Sequence, residues 1–85
     1  MSRKQKLIDR LKSKPRDMTF EEIETLLFLL GYERSNQGKT SGSRVRFFNA
    51  DLKSQIPIHK PHPSNIMKPP YLNYIINTLE KEGLI

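Results

Sequence analysis

The chain's two histidines stand three residues apart in Ile58-His59-Lys60-Pro61-His62, and imidazole is the side chain that exchanges a proton near neutral pH. Upstream, Ser43-Arg44-Val45-Arg46-Phe47-Phe48-Asn49 alternates in polarity. In an extended strand this alternation puts Val45 and Phe47 on one face and Arg44, Arg46 and Phe48 on the other. Guanidinium groups grip phosphates through a planar fork, and a phenyl ring can stack on a base. With His59 on a neighbouring strand, whose imidazole can move a proton, this set suits RNA. Lys39, Ser43 and Lys60 add donors beside it. The pattern leaves three classes open. They are a ribonuclease, a non-catalytic RNA-binding module and an interaction module for an acidic partner, because solvated sheet faces often carry arginine and a strand-end histidine often serves a backbone group.

Other chemistries fit poorly. His59 and His62 have no cysteine and no close acidic residue with which to build a metal site, so no metal or other cofactor is expected. Gly38-Lys39-Thr40 resembles the end of a phosphate loop but lacks that motif's upstream glycine, and Ser43 has no base beside it to make it a nucleophile. No hydrolase-elbow motif occurs.

The elements that must position these residues are marked by periodicity. Leu7, Ile8 and Leu11 predict a short basic helix that Pro15 ends, with its apolar stripe packing onto the rest of the chain. Thr19 and Glu22 form a capping-box pattern ahead of Ile23, Leu26, Leu27 and Leu30, and Gly31 follows as a C-cap; the predicted helix spans 19–30. Strands are expected at 32–36, 43–49 and 55–59, with Ile56 and Ile58 inward and Gln55, Pro57 and His59 outward. Pro57 lacks an amide donor, which suits an edge strand. After the stiff Pro61 and Pro63 loop, Leu72, Ile75, Ile76 and Leu79 predict a last helix that opens near Pro69-Pro70 and ends at Gly83. The expected fold is α+β: helix, three antiparallel strands, helix, preceded by an extra short N-terminal helix. Both main helices cover the apolar sheet face and leave the other open. The expected division is an accessory basic arm, 1–16, and a domain, 17–85.

Charge is unevenly placed. Of the net +6, residues 1–18 contribute +5, 19–30 contribute −3, 31–50 contribute +3, 51–68 contribute +2 and 69–85 contribute −1. The middle of the chain and the basic arm are thus the two zones that can face phosphates. Cysteine is absent, which excludes a disulfide-stapled secreted scaffold, and the longest apolar run, Leu26 to Leu30, is too short to span a bilayer. No apolar stretch follows the basic N-terminus, so a cytoplasmic location is expected.

Leu30-Gly31-Tyr32, Gly42-Ser43, Ile58-His59 and the closing segment from Leu72 to Gly83-Leu84, in that order and spacing, resemble the HicA family of toxins from bacterial toxin–antitoxin pairs. The likeness covers about 19–85. It implies a double-stranded-RNA-binding-domain-like fold and a metal-independent endoribonuclease that cleaves messenger RNA and inhibits translation. It also implies a HicB-type antitoxin partner that holds the toxin inactive. The family's catalytic histidine directly follows Gly-Ser, where this chain has Arg44. Arginine stays protonated and is a poor base, so catalysis has either moved or been lost. His59 is the best replacement, with His62 next, and Arg44 and Arg46 would clamp the scissile phosphate.

Overall fold

The computed structural model describes residues 3–35, 44–59, 61 and 64–85, with Ser35 and Arg44 described by their backbone. The element order is α1 (Arg3–Lys12), α2 (Phe20–Leu29), β1 (Glu33–Ser35), β2 (Arg44–Asn49), β3 (Ser54–His59) and α3 (Pro69–Lys81). The strands form one antiparallel sheet in the order β1-β2-β3, and β3, which contains Pro57, lies at an edge as expected. The class is α+β.

The start of α2 follows from its capping box: the Thr19 hydroxyl accepts from Glu22 N, and the Glu22 carboxylate accepts from Thr19 N. These bonds satisfy two amide groups that the helix cannot pair internally. Phe20, Ile23, Leu26 and Leu27 are buried. At the other end Gly31 takes φ of +98°, Tyr32 N donates to Leu27 O and Gly31 N donates to Phe28 O, a Schellman ending that calls for a left-handed residue. A Cβ at Gly31 would also sit 3.2 Å from Asn49 Nδ2. α3 repeats the device with Gly83 at φ of +75° and Leu84 N donating to Leu79 O.

All three helices supply one core. Ile8 and Leu11 of α1 join the α2 residues, Val45, Phe47, Ile56 and Ile58 from the sheet, and Leu72, Ile75, Ile76 and Leu79 of α3. Phe47 is the sheet's anchor, with the Phe20 ring 6.4 Å away and the Phe28 ring edge-on at 6.2 Å. α1 packs against α2 and α3, as its apolar stripe predicts. Arg10 ties it down by donating from Nε to Glu22 at 2.6 Å and from its terminal nitrogen to Asp17.

Two tertiary hydrogen bonds have no local signature. Phe20 N donates to Asn65 O and Met67 N to Met18 O, each at 2.7 Å. They fasten the segment before α3 across the start of α2, where Met18 and Met67 are buried. Asn49 bridges the other end, its Nδ2 donating to Leu30 O and its Oδ1 accepting from Leu52 N. Beside it the buried Tyr32 hydroxyl bonds to Ser54. Burial pushes the Tyr32 phenol above its ordinary pKa, the Ser54 bond opposes that and the Glu82 charge adds to it. No helix among the described residues is long and apolar enough to cross a membrane.

Thr19→Ala should cost about 1 kcal/mol in urea unfolding, the usual effect of removing an N-cap oxygen. Acid provides a second check. The hydrogen bond from Arg10 is the largest influence on the Glu22 carboxyl and, with the Thr19 bonds, holds it below its ordinary value despite burial. A carboxylate lowered in the folded state stabilises fully above its unfolded pKa and loses that contribution as pH falls through the folded value. Between about pH 5 and about pH 3 the urea midpoint should therefore fall further for wild type than for Glu22→Gln, which keeps an N3 cap but carries no charge. Equal slopes for the two proteins would remove Glu22 from the α1 latch.

Candidate nucleic-acid interface

The register of β2 on β3 builds the site. Val45 pairs with Ile58 and Phe47 with Ile56, and all four are buried under the helices. The intervening pairs lie on the opposite face, which no described element covers: Arg44 with His59, Arg46 with Pro57, and Phe48 with Gln55. β1 extends two of these rows, setting Ser35 opposite Arg46 and Glu33 opposite Phe48. The open face therefore carries three rows. One is Arg44 and His59; the next is Ser35, Arg46 and Pro57; the last is Glu33, Phe48 and Gln55.

Arg46 and His59 are exposed, while Phe48 is half-buried. Neither Arg46 nor His59 has a partner among the described residues. Directly opposite residues of an antiparallel pair lie about 5 Å apart at Cβ and diagonal ones about 7–8 Å. Arg44, Arg46 and His59 thus occupy positions that one phosphodiester can reach together. The face is polarised as well. Glu33 lies at the Phe48 end, four residues of β2 and roughly 13 Å from the Arg44 and His59 row. That separation keeps the acidic group away from the Arg44 and His59 row and is too long for the Glu33 carboxylate to orient His59.

Of the residues singled out in the sequence, Arg44, Arg46, Phe48 and His59 come together on this face. Lys39, Ser43, Lys60 and His62 lie outside the described residues, as do the connection at 37–42 and the Gly42-Ser43 motif. Arg34, counted in the basic middle of the chain, belongs elsewhere. It pairs with Phe47 on the helical side, and its guanidinium binds Glu24 of α2 at 3.1 Å. Glu33 joins the open face without being among the residues that sequence reasoning selects, although strand alternation from the buried Tyr32 assigns it there. Tyr71 and Tyr74 are likewise exposed on α3, at positions off its apolar stripe that periodicity does not single out.

Comparison with protein-family models, curated proteins and solved structures finds no match to this chain.

Because the two faces of β2 differ so sharply, substitutions along the sheet should separate. Arg46→Gln and His59→Ala should move the unfolding free energy by no more than about 0.5 kcal/mol. Phe47→Ala, on the opposite face of the pleat, should cost about 3–5 kcal/mol. A large destabilisation at Arg46 or His59 in urea titrations would mean that this face is covered.

Proposed function

We propose that the protein is a HicA-like toxin component that binds messenger RNA on its open sheet face and cleaves it without a metal, in the cytoplasm, thereby inhibiting translation. The observation that carries this reading is the register that sets Arg44 opposite His59 with Arg46 diagonal to it, on a sheet face that no described element covers. Arg44 and Arg46 hold the scissile phosphate and offset the charge that develops on it. Phe48, half-buried in the adjoining row, presents the remainder of its ring for a base to stack on. His59 takes the proton from the ribose 2′-hydroxyl. The 2′-oxygen attacks the adjacent phosphorus, and the 5′-oxygen leaves and collects a proton from water or from His62. The products are a 2′,3′-cyclic phosphate and a 5′-hydroxyl. A HicB-type antitoxin would silence the toxin by covering this same face.

Arg44, standing where HicA proteins carry their catalytic histidine, favours a second reading: a binding module of the same fold that has lost cleavage. An RNA cleavage assay with parallel binding measurements separates the two. His59→Ala should slow cleavage on the order of a hundredfold or more and leave RNA affinity nearly unchanged, whereas Arg46→Gln should weaken binding. Purified protein that binds RNA and never cuts it would establish the second reading. Protein that does neither would sink both.

A further inference from the structure

The basic arm is a fixed part of the molecule. α1 buries Ile8 and Leu11 in the core, and Arg10 is held by Glu22 and Asp17. The other cations of α1 and the turn after it, Arg3, Lys4, Lys6, Lys12, Lys14 and Arg16, are exposed and form no ion pair among the described residues.

The neighbouring acidic helix α2 forms no ion pair with these six cations: two of its carboxylates pair with other arginines and the third meets a neutral amide. Glu21 accepts from Asn65, Glu22 from Arg10 and Thr19, and Glu24 from Arg34. On α1 itself Asp9 accepts from Gln5. The result is a rigid surface of unbalanced positive charge. Since α1 packs on α2 and α3, that surface lies on the helical side of the molecule, apart from the open sheet face.

We propose that α1 is a second phosphate-binding surface for RNA, engaging the backbone of the same strand after it leaves the sheet face. This rests on the RNA reading above. Two features favour a phosphate backbone over an acidic protein. None of the exposed large apolar residues, Phe28, Leu29, Leu52, Tyr71 and Tyr74, lies on α1, whereas protein interfaces centre on such residues and are depleted in lysine. The cations are also spread around the helix, which suits a flexible polyanion better than a single complementary patch. An RNA touching both surfaces must pass around an edge of the domain, so the contribution of α1 grows with RNA length.

The test is the salt dependence of binding to a long single-stranded RNA by the full chain. Neutralising four positions together, Arg3→Gln, Lys4→Gln, Lys6→Gln and Lys12→Gln, should reduce the slope of log affinity against log salt by about 0.7 for each phosphate that the protein no longer neutralises. Affinity at low salt should fall on the order of tenfold, with the urea midpoint unchanged. The charge-keeping set Lys4→Arg, Lys6→Arg and Lys12→Arg should retain the wild-type slope. If the neutralised protein keeps wild-type slope and affinity while Arg46→Gln weakens binding, the α1 proposal falls and the sheet-face reading stands. Sensitivity at α1 with none at Arg46 keeps α1 as a phosphate-binding surface but overturns the sheet face and the shared path from it. No RNA binding by wild type ends both proposals, and wild type that prefers polyglutamate to RNA at equal salt assigns α1 to an acidic protein instead.

Discussion

The antiparallel register of β2 on β3 is the constraint on which the rest of the molecule depends. A pleated strand sends alternate side chains to opposite faces, so one choice of register buries Val45, Phe47, Ile56 and Ile58 and exposes Arg46, Pro57 and His59. A slip by one residue would bury the cations and expose the core. The hydrophobic effect that holds the helices to the sheet is thus the same force that arrays arginine and histidine on the open side. Site and core are two faces of one packing decision, and the rigidity of the one supports the geometry of the other.

On the helical side, electrostatics sorts the basic residues. α2 brings three carboxylates into a chain of net charge +6, and the fold commits each to a partner. Glu22 takes Arg10 and Glu24 takes Arg34, which withdraws both arginines from the positive surface; Glu21 takes Asn65. Partly exposed ion pairs of this kind contribute little to stability. Their larger effect is positional, since neither Arg10 nor Arg34 is left to add free charge to the positive surfaces of the molecule. Glu33 adds a gradient along that face by sitting at the Phe48 end.

Much of this is legible in the chain because it is written in short-range patterns. Thr19 and Glu22 announce the start of α2, Gly31 and Gly83 mark left-handed helix ends, and the alternation from Val45 to Phe48 separates the faces of β2. The strand expected at 32–36 starts one residue later, at Glu33, with Asn36 outside the described residues, and the one at 55–59 gains Ser54. Other interactions have no local signal. The pairing of Met18 and Phe20 with Asn65 and Met67 joins segments more than forty residues apart, and Asn49 looks like any turn asparagine until the end of α2 is brought beside it.

The same division holds for the candidate site. Side-chain periodicity belongs to the backbone of each element, so residue order is enough to tell that Arg46, Phe48 and His59 share a face opposed to Phe47 and Ile58. Which cations remain free is a different kind of property. Nothing in the sequence around Arg34 in β1 or Arg46 in β2 tells which of the two finds a carboxylate. One meets Glu24 because β1 lies beside α2, and the other meets no described partner because nothing described packs over the middle of the sheet. Pairing depends on distances between elements remote in the chain, and those distances exist only once the helices have closed over one side of the sheet.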